Sequence, residues 1–70
     1  MSFQAYLDNI KAKTGMQASD FKRIAEEKGF VENDELKVKA GDIVSWLKSD
    51  YELGHGHAMA IYAYLKGKRE

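Results

Sequence analysis

Eight consecutive residues, AMAIYAYL at 58–65, carry no charge and place apolar side chains on every side of a helical wheel. A helix that is apolar all round is one that is buried all round. The chain is 70 residues long, and at that size folding removes only about 60% of the unfolded surface from water. There is room for one such element, and it belongs in the middle. Ala58, Ile61, Tyr62 and Leu65 form the main stripe of this fourth helix, expected over about 56–66, with Met59 and Tyr64 on its flanks. Gly56, Ala60, Ala63 and Gly67 make a column of small residues on the opposite side, where a neighbouring backbone can come close. Cover by another helix of the same chain, and hence a monomer, is the preferred reading. The alternative is a homodimer in which two such faces meet across a two-fold axis.

The rest of the chain supplies the cover. Ser2 is placed as N-cap of a first helix whose Phe3, Tyr6, Leu7, Ile10 and Thr14 follow the 3.6-residue period; Lys11 and Lys13 suit its C-terminal end, and Gly15 the left-handed residue beyond it. A second helix is expected over about Ala18 to Lys28, with Phe21, Ile24 and Ala25 inward. Gln17 and Ser19 compete as its N-cap, and Gly29 ends it so that Phe30 folds back on Ala25. Residues 31–39, VENDELKVK, have no helical stripe and read as a connection with at most a short turn, pinned by Leu36 and Val38. In the third helix, about 40–51, Ala40, Ile43, Val44, Leu47 and Tyr51 share one face. Trp46 lies about a hundred degrees off that face, so its ring is expected at the edge of the core and its N–H near water. The fold expected is all-α: a single helical domain over residues 1–70, a bundle of about four short helices with the fourth at its centre.

Several functions are disfavoured by composition. Eleven basic and eleven acidic residues cancel, which leaves no electrostatic footprint for nucleic acid or an anionic membrane. The absence of cysteine removes disulfides, thiolate metal sites and cysteine nucleophiles. No run is long enough to span a bilayer, and the first residues lack the order of a secretory signal, so a cytoplasmic protein with no membrane contact is expected. No nucleophile, base and orienting acid fall into a recognisable pattern, and the chain reads as a protein without enzymatic activity and without a cofactor.

The stretch that stands out chemically is LGHGHAMAI at 53–61. Gly54, His55, Gly56 and His57 sit at the corner before the fourth helix, and the glycines suggest a reversal that uses backbone angles forbidden to other residues. Three readings go beyond a plain corner. Histidines two apart do not share a helix face, and zinc sites on helices use the i, i+4 spacing with a third ligand, so no metal is expected. The free N–H groups of the helix start suit a phosphate or carboxylate. Gly54-His55-Gly56 followed by Ala60 also fits the spacing of a helix-hairpin-helix nucleic-acid corner at 53–60, although neutral charge weighs against nucleic acid as a partner. If the corner binds something, Trp46 or Tyr51 is expected as a nearby wall. The function expected is a protein-interaction or ligand-binding module.

Three blocks, SFQAYLDNIKAKTG at 2–15, KAGDIVSWLK at 39–48 and LGHGHAMAI at 53–61, together resemble a small bacterial domain family, the domain of unknown function family 4287. Members of that family often open the second helix with Thr-Pro-Glu-Asp. This chain has Gln17-Ala18-Ser19-Asp20, which keeps the acid and loses the proline and the stronger cap. The resemblance implies a compact bacterial domain, found alone or joined to another domain, and carries over no catalytic residue.

Overall fold

The computed structural model describes residues 2–68. Four helices run in the order α1 (Phe3–Thr14), α2 (Ala18–Glu27), α3 (Ala40–Tyr51) and α4 (His55–Leu65), and a two-stranded hairpin, β1 (Val31–Glu32) and β2 (Glu35–Leu36), lies between α2 and α3. α4 packs against α1, α2 and α3, as the apolar wheel requires. Ala58, Ile61 and Leu65 of α4 meet Ile10 of α1, Phe21 and Ala25 of α2, and Ile43 and Leu47 of α3 in one core. Among the described residues no polar or charged residue is buried with them.

Helix boundaries follow the capping chemistry. Ser2 accepts a hydrogen bond from the Ala5 N–H at 3.2 Å, and Gly15 ends α1 at φ 76° with its N–H on the Lys11 carbonyl. The N-cap of α2 is Gln17, whose N–H donates to the Asp20 carboxylate at 3.0 Å. Asp42 does the same for Lys39 at the start of α3, at 3.3 Å. Each aspartate thereby satisfies a donor at a helix start and adds negative charge where the helix dipole favours it. Beyond α2, Phe30 N–H donates to the Ala25 carbonyl and Gly29 N–H to that of Glu26, the paired bonds of a Schellman motif. α4 ends in the same way, with Lys68 N–H on Ala63 and Gly67 N–H on Tyr64.

The hairpin corrects the all-α expectation. Val31 pairs with Leu36 and Glu32 with Glu35, and the two residues between, Asn33 and Asp34, have φ of 54° and 62°. Positive φ at both central positions is the type I′ turn that matches strand twist, and Asn and Asp are the non-glycine residues that tolerate it best. VENDEL holds Asn and Asp at the turn but no Asn-Gly pair, and four ladder residues are too few to show a period. Val31 is buried, Leu36 and Val38 pack against the core, and Lys22 of α2 holds Asp34 at 2.6 Å, so the connection is pinned at both ends.

Trp46 also departs from expectation. It is 8% exposed, and its Nε1 is buried without a hydrogen-bond partner. Its ring meets those of Phe30, Tyr51 and Phe21 edge to face, with centroids 5.5, 6.0 and 6.5 Å away. The N–H therefore lies inside an aromatic cluster and not at the water boundary, at a cost of about 1–3 kcal/mol for an unsatisfied donor. Two results are expected. The indole N–H exchanges with deuterium as slowly as the core amides of α3 and α4, which NMR exchange measures. Glu52, which has φ 55° although it is not glycine, stores strain that Glu52→Gly relieves; urea denaturation should show a gain of about 1 kcal/mol after the flexibility of glycine in the unfolded chain is discounted.

Candidate functional site

The corner between α3 and α4 is built differently from what its glycines suggest. The left-handed residue is Glu52, whose N–H, with that of Leu53, donates to the Leu47 carbonyl. Lys13, at the end of α1, donates its ammonium to the Glu52 carbonyl at 2.8 Å and ties the corner to the first helix. Leu53 plugs the core at 2% exposure. Gly54 is the N-cap of α4 at φ −68° and ψ 166°, angles open to any residue, and Gly56 lies within the helix. The reversal thus uses none of the freedom of Gly54 or Gly56.

Gly56 faces α1, at a distance that leaves room for ordinary van der Waals contact. A Cβ built on Gly56 would stand 3.4 Å from the Tyr6 ring and 3.5 Å from its hydroxyl oxygen. The same Tyr6 ring meets His57 edge to face, centroids 5.2 Å apart at 85°. Tyr6 therefore closes over the first turn of α4, and the two histidines part company there. His57 is half-buried against the aromatic ring, whereas His55 is exposed at the mouth of a groove. No side chain caps the start of α4, and the first intrahelical bond is from Ala58 N–H to the Gly54 carbonyl at 2.9 Å.

The small-residue face of α4 continues as the floor of an open groove of about 440 Å³, in which Gly56, Ala60 and Ala63 lie beneath walls formed by Phe3, Tyr6 and Met59. His55 stands at one end and Lys68 at the other, with its ammonium 5.5 Å above the Phe3 ring. Gly67 is not part of the face: at φ 112° it is the left-handed cap beyond α4. Nor do Trp46 and Tyr51 wall this groove. They belong to the aromatic cluster with Phe21 and Phe30. A second depression, about 310 Å³ between α1 and the start of α2, is lined largely by polar residues including Gln4, Asp8, Lys11 and Ser19.

Sequence reasoning therefore identifies the α4 side of the groove and misses its opposite wall. Phe3 and Tyr6 fall on the helical stripe of α1 and look like core, yet both are only half-buried. An aromatic residue in the first turn of a terminal helix, where the bundle has no further layer, is the one signal that could have shown it. Among the described residues there is no group of three or more His, Cys, Asp or Glu placed to hold a metal ion. No described helix is long and apolar enough to cross a membrane.

A family model described as "Domain of unknown function (DUF4287)" matches residues 2–67. Neither the curated proteins nor the solved structures contain a match to this chain.

The separate placement of the histidines has a measurable consequence. His57→Ala should cost about 0.5–1.5 kcal/mol, the range of an aromatic edge contact, and a double-mutant cycle with Tyr6→Leu should recover most of that as coupling. His55→Ala, at an exposed position, should change stability by less than about 0.5 kcal/mol in the same denaturation experiment.

Proposed function

For this chain, which belongs to the DUF4287 domain family, we propose a role as a binding module, not an enzyme, whose contact surface is the groove between α1 and α4. One observation carries this reading. The most apolar helix is packed against α1, α2 and α3 and buries Ala58, Ala60, Ile61 and Leu65, but at Met59 and Ala63 the cover is only partial and leaves an open, largely apolar channel edged by Phe3 and Tyr6. Ligand sites on proteins are concave and mostly apolar with a few polar groups at the edge, and this groove has that composition, with His55 and Lys68 at its ends. Met59 favours variable partners, because its thioether side chain adapts to irregular shapes.

The reading against catalysis rests on the same geometry. The described residues bury no acid, base or nucleophile, so no such group is held away from water where its reactivity could be tuned. A nucleic-acid corner at 53–60 has less support. The charges sum to zero, and the groove floor offers alanine and glycine where phosphate contacts need Lys or Arg.

Titration of the ¹⁵N-labelled protein with N-acetyl-leucinamide and N-acetyl-tryptophanamide at millimolar concentration tests the groove as a receptor for apolar side chains. The expected result is movement of the Gly56, Met59, Ala60 and Ala63 amides, abolished in Ala63→Trp, whose indole fills the channel at a half-exposed position. Shifts scattered over the surface, or unchanged in Ala63→Trp, overturn the reading. Binding of a DNA oligonucleotide at Gly54–Gly56 that weakens steeply with salt would favour the nucleic-acid corner instead.

A further inference from the structure

α1 is as long as α3, yet it gives least to the core. Of its twelve residues only Ile10 is buried, against three in α2, three in α3 and four in α4. Both of its flanks border open space. On the α4 side lies the groove of about 440 Å³, at Phe3 and Tyr6, and on the α2 side the polar depression of about 310 Å³, at Gln4, Asp8 and Lys11. The helix is therefore seated along a narrow line through Ile10, with Leu7 half-buried beside it. Its C-terminal end is held to the far corner by the Lys13 ammonium on the Glu52 carbonyl, a bond at the surface. The chain leaves α1 through Gly15, at φ 76° with open space where a Cβ would stand, and Met16 and Gln17 complete the link to α2. Residues at the end of an element are those that absorb backbone rotation at a hinge, and segments with few buried apolar contacts are those that open first in a native protein.

We propose that α1 is a detachable strap, which swings off α4 as a unit about residues 15–17 while α2, the hairpin, α3 and α4 stay closed. What stays closed has a core of its own: Phe21, Ala25, Ile43, Leu47, Ile61 and Leu65 all come from the other three helices. The opening parts Tyr6 from Gly56 and His57 and takes the Lys13 ammonium off the Glu52 carbonyl. It also uncovers the side of α4 that carries Gly56, Ala60 and Ala63, so the position of α1 sets the width of the groove. No ligand is needed for this motion, which belongs to the free protein whether or not anything enters the groove.

Native-state hydrogen exchange of the full chain, followed by NMR at increasing sub-denaturing urea, tests this directly. The amides of residues 10–14 should exchange at least about tenfold faster than those of Leu47 and Ile61, share one opening equilibrium, and respond less steeply to urea because less surface is exposed. Two substitutions separate the strap from global unfolding. Val31→Ala removes a buried side chain of β1, which packs on α2, and leaves the α1 contacts alone. It should speed the Leu47 and Ile61 amides about tenfold and leave residues 10–14 within about twofold of the wild-type protein, because the Val31 contacts persist when α1 opens. Leu36→Ala, at a half-buried position of β2, carries the same test if Val31→Ala does not fold. Lys13→Met should speed both sets about two- to fivefold, because its bond is missing from every open state. Equal exchange of α1 and the core amides, or equal acceleration of both by the hairpin substitution, overturns the strap. A steady fall in rate from Phe3 to Thr14 would be fraying of the helix end and would overturn it too.

Discussion

The burial of α4 is the constraint on which the rest of the structure depends. A helix of eleven residues with apolar side chains on all sides must be covered on all sides, and the described residues supply three other helices and a short hairpin with which to do it. α1, α2 and α3 together cover the larger side chains, Ile61 and Leu65 among them, and both of these are almost wholly buried. The first turns of α1, at Phe3 and Tyr6, also face the small residues of α4. Alanine and glycine offer little area, at roughly 25 cal/mol for each Å² buried, so complete cover there contributes less than cover elsewhere. The gap falls where closing it would stabilise the fold least.

The other peculiarities follow from making short connections in a chain without proline. Glycine takes the left-handed position after α1, α2 and α4, whereas at the α3 corner and in the hairpin turn Glu52, Asn33 and Asp34 do so. The strained Glu52 is steadied from outside by the Lys13 ammonium on its carbonyl. The corner that looks most flexible on paper is therefore among the better anchored. Its two glycines have separate places: one is an N-cap with ordinary angles, and the other lies within α4 facing the Tyr6 ring.

Much of this could be read from the residues. The caps at Ser2, Gly15 and Gly29 and the central place of α4 follow from local preference and periodicity, and the four helices lie within about two residues of the expected bounds. The hairpin was not legible, because two-residue strands carry no pattern and their turn lacks the Asn-Gly signature. Trp46 was misplaced because a helical wheel gives an angle and not a depth. An indole about a hundred degrees from the stripe is at the boundary only if nothing packs over it, and Phe30, brought back by the Schellman turn, does. Of the candidate site, the floor at Gly56, Ala60 and Ala63 was foreseen as a face that some neighbour would approach; which neighbour, and how far along, was not.

By itself the sequence determined that one helix would be central, to within a residue or two where the helices would begin and end, and that one side of the central helix would be small and smooth, since each of these follows from side chains within a few residues of one another. Only the tertiary structure decided that Tyr6 would close over Gly56, that His57 would turn to its ring while His55 stayed in water, and that Phe3 and Lys68 would frame an open channel above Ala60 and Ala63. Those facts depend on how α1 lies across α4. Its placement is set by the packing of Ile10 in the shared core and by the bond from Lys13 to the far corner, contacts between residues that are remote in the chain.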